Sequence, residues 1–233
     1  MTDFTTDSGI GEIMLNVAAT PTDAIFVMRH GQTALDISHR CDSWLDLPLS
    51  DEGREDVVTT LSDHLKDFGI QKIFVTSLKR IEESGHIIST GLPTAPPVII
   101  DDTARTWNLG TIGGDKKDKE RKAMVKDLLD NPEKHAPGGG ESYGEFTERF
   151  DSFLDGQMKA IESGKLKGPV LDVLSGSNCR RIGERFMDDR DDADLDEGGL
   201  LMLYRDGDEG KEEDRWKVVI ISGASNGENY EES

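Results

Sequence analysis

The sequence predicts an α/β fold, a three-layer sandwich with a mostly parallel central sheet and helices on both faces. Three observations carry this expectation. Over residues 24–100, short apolar runs rich in strand formers alternate with helical patterns in a βαβαβ order, which favours parallel strands joined by crossovers. The runs are continuously apolar, as in strands buried on both faces. Polar strings follow directly on their carboxyl ends, where open α/β sheets place ligand crevices.

The first run, Ile25-Phe26-Val27-Met28, is too short for a helix and ends at Arg29-His30-Gly31-Gln32-Thr33. Gly31 lets the backbone turn there or approach a ligand closely. DEGREDVVTTLSDHLKDFG then reads as a helix, with Ser50 as N-cap, acids in the first turn, and Val57, Leu61, Leu65 and Phe68 at helical spacing before Gly69. QKIFVTS is a second strand, SLKRIEESGHIIS a second helix, and PPVII a third strand entered through prolines. Residues 118–131 and 141–161 are read as helices separated by the turn-rich NPEKHAPGGG. PVLDVLS is a fourth buried strand, and GLLMLYR with RWKVVIIS a closing pair joined by the acidic loop DGDEGKEED. These elements form a single domain over 22–223, with 1–21 as an N-terminal arm and 224–233 as a tail, both weakly patterned.

A chain of 233 residues can bury a substantial core in one domain, and 35% hydrophobic with 32% charged residues suits a soluble globular protein. The formal net charge of -20, from 47 acids against 27 bases, repels nucleic-acid backbones and anionic membranes, so neither is expected as a partner. An anionic substrate would need a basic pocket inside this negative envelope. The acid run DDRDDADLDE at 188–197 is read as a solubilising surface. The amino-terminal residues lack a basic n-region and a long apolar core, so no signal peptide is expected, and no run approaches membrane-spanning length. Two cysteines, Cys41 and Cys179, give neither a disulfide framework nor a metal cluster, which points to a reducing cytoplasm. No His/Cys/Asp/Glu group has convincing ligand spacing, so no metal and no cofactor are expected. The oligomeric state is not readable.

Arg29 and Arg80 each stand just past the carboxyl end of a strand. If those strands are neighbours, both guanidinium groups reach one crevice and form a clamp for phosphoryl oxygens, because each planar fork holds two oxygens and stays charged. The alternative for Arg80 is a surface helix residue paired with Glu82 or Glu83. A lone histidine such as His30 is more often structural than catalytic.

Six motifs in order, FVMRHGQT, DLPLSDEG, TSLKR, WNLGTIGG, PGGGESYGEFTERF and SNCRRIG, spread over about residues 24–222, resemble the histidine phosphatase superfamily, which also contains the cofactor-dependent phosphoglycerate mutases. The resemblance implies a phosphoglycerate mutase-like sandwich and assigns His30 as a nucleophile that transiently carries a phosphoryl group, with Arg29 and Arg80 on its oxygens. It puts Gly31, Gln32, Thr33, Asp36, Trp107 and Ser142 at the substrate and leaves the proton donor open between Glu141, Asp101 and Asp102. Glu141 is equally a first-turn helix acid favoured by the macrodipole, and Trp107 a packing residue. The implied activity is metal-independent hydrolysis of phosphorylated small molecules through phosphohistidine. Its alternatives are a degenerate member that binds a phosphorylated ligand or protein without turnover, and phosphoglycerate mutase-type transfer.

Three positions depart from the family pattern. Ser175 stands where a second pocket histidine is usual, Thr106 where an acid is usual, and Asp36 where an asparagine is usual. The first two remove functional groups and the third brings negative charge toward a phosphate, so reduced activity is expected. His39, His64, His86 and His135 match no motif, and Cys179 is read as a small buried filler.

Overall fold

The computed structural model describes residues 23–205 and 216–224. The expected arm over 1–21, the tail from 225 onward and the acidic loop at 206–214 lie outside these residues. Strand β1 (Ala24–Arg29) is followed by a short helix α1 (Ala34–Ile37), helix α2 (Asp51–Thr60), β2 (Lys72–Val75), α3 (Lys79–Gly91) and β3 (Val98–Ile100). Then come α4 (Lys119–Asp130), α5 (Tyr143–Glu162), β4 (Val170–Leu174), α6 (Gly176–Phe186), β5 (Leu195–Arg205) and β6 (Trp216–Ala224). One six-stranded sheet runs in the order β3-β2-β4-β1-β5-β6. The first four of these strands are parallel, and β5 and β6 add an antiparallel edge.

The buried strands behave as their sequence requires. Ile25 and Val27 of β1 enter one core with Phe146, Phe150 and Leu154 of α5, whereas Phe26 and Met28 enter the other with Val57, Leu65, Ile81 and Ile88. Period-two alternation with both sides apolar therefore packs a helical layer on each face of the sheet. Ser50 caps α2, its Oγ accepting from the Gly53 amide at 2.9 Å. The helix expected to run unbroken to Gly69 loosens after Thr60 into a π-helical turn over Leu61–Leu65. Thr60 Oγ, 3.1 Å from the Asp56 carbonyl of its own helix, donates more closely to the Gly198 carbonyl at 2.7 Å, which ties α2 to the beginning of β5.

Arg29 and Arg80 do not follow neighbouring strands, since β4 lies between β1 and β2. Arg80 reaches across because it stands in the first turn of α3, one residue past the helix start. Three parallel strand ends thus surround one crevice, and β4 contributes Ser175. Among the described residues no helix is long and apolar enough to cross a membrane.

Candidate active site

His30 follows the last residue of β1, and its backbone is fixed from both sides: its amide donates to the Leu174 carbonyl at 3.0 Å, and its carbonyl accepts from the Gly198 amide at 3.2 Å. Its Nδ1 lies 2.8 Å from the Gly31 carbonyl oxygen. A carbonyl only accepts, so Nδ1 carries the hydrogen and Nε2 presents its lone pair. Arg80 Nε donates to that lone pair at 3.1 Å. Burial, and next the Arg80 charge, push the imidazole pKa down to about 3. The ring is therefore neutral at working pH, the form a nitrogen nucleophile requires.

Arg80 is fully buried. Its two remaining nitrogens donate to the Ser43 and Leu45 carbonyls, each at 2.8 Å. Those carbonyls face inward because the loop after α1 bends at His39 and Ser43, whose φ angles of 52° and 45° lie in the left-handed region that non-glycine residues seldom adopt. The same bends set Asp42 over the histidine, with Oδ2 3.5 Å from Arg80 Nε. Arg29 donates to the Leu195 carbonyl and to Glu197 Oε1, and its NH2 lies 3.8 Å from Asp36 Oδ1. Arg29 Nε and Ser175 Oγ are both buried without a hydrogen-bond partner among the described residues. Buried polar atoms of that kind are uncommon and call for a ligand or solvent partner.

These groups form the floor of a cavity of about 580 Å³. Trp107 and Thr106 form part of its wall, Val125, Leu129 and Tyr143 an apolar side, and Lys117, Arg121 and Arg180 add positive charge. A basic pocket is thus present inside the acidic envelope, as an anionic substrate would need. Its volume exceeds that of a phosphate alone and falls in the range of small-molecule sites, about 300–1,000 Å³.

Of the residues expected at the site, the cavity brings together Arg29, His30, Asp36, Arg80, Trp107 and Ser175. It does not include Glu141, whose carboxylate is held by Arg149 Nε at 3.0 Å and NH2 at 2.9 Å and lines a separate cavity with His135 and Glu148. Ser142 is the N-cap of α5, accepting from the Glu145 amide at 3.1 Å. Asp101 caps a 3-10 turn, and Asp102 accepts from the Ser77 amide and from Arg105, so neither lines the cavity. Gly31 serves packing, because a Cβ there would stand 2.0 Å from the Gly53 carbonyl oxygen of α2. Gln32 contributes its carbonyl to the Ser50 amide and hydroxyl. Thr33 is buried and caps α1, its Oγ accepting from the Leu35 and Asp36 amides. Thr106 lines the cavity and is bonded through Oγ1 to Ser177 Oγ at 2.6 Å. Trp107 both packs in the core beside Tyr143 and Phe146 and faces the cavity. Cys179 is a buried filler, its thiol pushed up to about 12 by burial.

Sequence reasoning missed Asp42, Ser177 and Glu197. Glu197 belongs to the acid run assigned to solubility, yet it ion-pairs with Arg29. Asp194, from the same run, accepts from Arg180 at 2.9 Å. The only signal for Asp42 was its place in the loop leading to DLPLSDEG, and no periodicity marks that loop. His30, Asp36 and Asp42 offer nitrogen and oxygen atoms all within 4.8 Å of one another, an arrangement a metal ion could use. The Arg80 guanidinium already supplies cationic charge to that cluster, touching both His30 and Asp42.

The family model of the histidine phosphatase superfamily (branch 1) matches residues 25–209. Phosphoglycerate mutase-like protein 4 of Arabidopsis thaliana is 29% identical over 168 residues, covering 69% of this chain and 70% of that protein. A probable phosphoglycerate mutase, GpmB, of Cronobacter sakazakii is 26% identical over 135 residues, covering 56% of this chain and 61% of that protein. Among solved structures, a mycobacterial glucosyl-3-phosphoglycerate phosphatase complexed with VO3 superposes with a TM-score of 0.67 at 19% identity, over 87% of this chain and 100% of that one. Phosphoglycerate mutase from Bacillus anthracis gives 0.64 at 19%, over 87% and 94%.

Proposed function

The chain belongs to the histidine phosphatase superfamily (branch 1), and from that membership we propose that it is a metal-independent phosphomonoester hydrolase acting through phospho-His30. The observation that carries this reading is the unprotonated Nε2 of His30 at the floor of the cavity, held by the Arg80 guanidinium with Arg29 beside it. The lone pair attacks phosphorus, and the two arginines meet the charge on the transferring group, which needs positioning and positive charge more than any covalent help. The apolar and basic walls above the floor suit a phosphorylated small molecule with both apolar and anionic parts. One relative is named a probable phosphoglycerate mutase, one solved neighbour a phosphoglycerate mutase and another a phosphatase, so transfer between two positions of one substrate is a further outcome of the same phosphohistidine chemistry.

The test is incubation with 2,4-dinitrophenyl phosphate followed by trapping of an acid-labile phosphoenzyme. Wild type is expected to trap phosphate on His30 and His30→Ala to trap none. Equal labelling of the two would remove His30 from the mechanism. Turnover is expected to be unchanged by EDTA, since the arginines neutralise the phosphoryl oxygens. Loss on chelation with recovery on adding a divalent ion would overturn metal independence.

A second reading, binding of a phosphorylated ligand without turnover, is favoured by two observations: both arginines already have carboxyl partners, and Ser175 offers no cationic donor. Tight vanadate or phosphate binding with no phosphoenzyme from any ester would select it.

A further inference from the structure

Three carboxyl groups of this site compete for two arginines, and two of the three, Asp36 and Asp42, lie within 4.8 Å of the His30 nitrogen. A phosphoryl dianion entering between them would meet two negative charges at close range. Thr33 shows how the pair is arranged. Its Oγ lies 2.8 Å from Asp36 Oδ2, and 3.1 and 3.3 Å from the two oxygens of Asp42. A hydroxyl has one hydrogen and serves one of these carboxylates; the other is left without that donor and is the easier of the two to protonate. Asp36 also accepts from the Thr33 amide at 3.0 Å and stands 3.8 Å from Arg29 and 3.9 Å from Lys117. It is the better place for the negative charge, so the proton belongs on Asp42.

We propose that Asp42 is the general acid of this site, holding a carboxyl proton in the free protein and delivering it to the leaving-group oxygen. The proposal rests on the phosphatase reading above and adds the proton donor which that reading lacks. Thr106 cannot supply a proton of suitable acidity, and Glu141 lies outside the cavity. In the first step the His30 Nε2 lone pair forms the N–P bond, the P–O ester bond breaks with its electrons on the leaving oxygen, and the Asp42 proton passes to that oxygen. In the second step the Asp42 carboxylate takes a proton from a water whose oxygen attacks phosphorus. The N–P bond then breaks, its electron pair returns to Nε2, and inorganic phosphate leaves with Asp42 protonated again.

The electrostatics of the surrounding elements agree with the geometry. Burial, and next the Asp36 charge, raise the Asp42 carboxyl to about 6, against the opposing Arg80, the Thr33 hydrogen bond and Lys117. Burial also works against charge on Asp36, but the Arg29 and Lys117 charges and the Thr33 hydrogen bond favour its ionised form, and that carboxyl is held low. Two adjacent acids with pKa values driven apart give one group that keeps charge and one that carries a proton.

The experiment compares phenyl phosphate, whose phenolate is basic and needs a proton to leave, with 2,4-dinitrophenyl phosphate, whose anion leaves unaided. Asp42→Asn keeps the shape and removes the proton. The expected loss in kcat on phenyl phosphate is on the order of 10²-fold, and at least ten times larger than the loss on the dinitrophenyl ester. In wild type, kcat for phenyl phosphate is expected to fall along an alkaline limb at or above pH 6 that the dinitrophenyl ester does not show, which tests the same claim should Asp42→Asn fail to fold. Equal losses on both esters with identical pH profiles would overturn the role, and so would a gain in rate on phenyl phosphate, which would make Asp42 a repelling charge. If wild type turns over neither ester and traps no phosphate, the phosphatase reading falls and this role with it; trapping without a leaving-group difference removes only the role of Asp42.

Discussion

Two arginine–carboxylate systems of this molecule, one behind the 103–109 segment and one at His30, are built in opposite ways. Glu141 and Arg149 form a complete pair: both carboxylate oxygens are taken by the guanidinium, and Glu141 Oε2 also accepts from the Asn108 amide at 3.1 Å. Arg149 spends its other donors on the Thr103 and Arg105 carbonyls at 2.8 and 2.9 Å. At His30, Arg80 is fully bonded, but the network around it is not closed. Among the described residues Arg29 Nε and Ser175 Oγ lack partners, and Asp36 and Asp42 share one hydroxyl. A closed network rigidifies a wall, because every group already has what it needs. An open one retains differential binding energy for an incoming charge, and that is the property catalysis requires.

The largest effect that would sharpen this contrast comes from filling the gap on the open side. Ser175 follows β4 as the N-cap of α6, with its hydroxyl buried at the cavity and unpartnered among the described residues. Ser175→His places a reaching, cationic-capable donor there. A gain on the order of 10²-fold in kcat is expected, the reverse of removing one preorganised donor. Overpacking against Arg29 would cost about 1–3 kcal/mol, so thermal unfolding is measured in parallel. A well-folded Ser175→His that binds phosphate with no rise in rate would show that a missing donor does not limit the site.

The contrast also explains what the sequence made legible. β1, its buried register and His30 were readable because a strand apolar on both faces followed by a polar string is a local pattern. Arg80 was found by the same logic, with the adjacency of its strand to β1 left as a condition: β4 enters between them, and strand order is a property of long-range pairing that no local window carries. Glu141 was visible for its place in a glycine-rich motif, but its partner Arg149 lies a helical turn into α5, and spacing alone did not reveal that their charges would close on each other. Asp42 was invisible for the converse reason. It is set by two left-handed residues in a loop without periodicity, and its neighbours Thr33, Arg80 and Lys117 come from three other segments. Glu197 arrives on an antiparallel strand from the far end of the domain.

A smaller effect would break the comparison if it went the wrong way. Glu141→Gln removes the charge from the closed pair and leaves Arg149 with a weaker partner. The 103–109 wall should loosen, with stability lower by about 1–3 kcal/mol by denaturant titration. Turnover should change by less than about 10-fold. A loss of 10²-fold or more in kcat at unchanged stability would put Glu141 in the chemistry and make the closed pair the catalytic one.

The smallest effect expected on turnover comes from a third carboxyl, buried with no arginine at all. Asp172 lies in the middle of β4 between Val27 and Phe74 of the adjoining strands. It accepts from Gln157 Nε2 at 3.0 Å, while its Oδ2 and Gln157 Oε1 are buried without partners among the described residues. Burial raises its pKa from 3.8 to about 7. Between those values the folded chain holds a proton that the unfolded chain has released, so stability falls as pH rises from about 4 to about 7 and the penalty is complete above that. His30 has the opposite sign, since its depressed pKa costs stability as pH falls below about 6.5. Comparing variant with wild type at each pH cancels that histidine contribution. Asp172→Asn cannot ionise, and its amide supplies a hydrogen for Gln157 Oε1. It is expected to match wild type near pH 4 and to exceed it by about 2–4 kcal/mol at pH 8, with kcat unchanged because Asp172 lines no part of the cavity. A constant difference across that range would mean that Asp172 is ionised in the folded chain throughout, and burial alone would then no longer account for a raised carboxyl; the proton on Asp42 would have to rest on the contacts of Thr33 and the charge of Asp36.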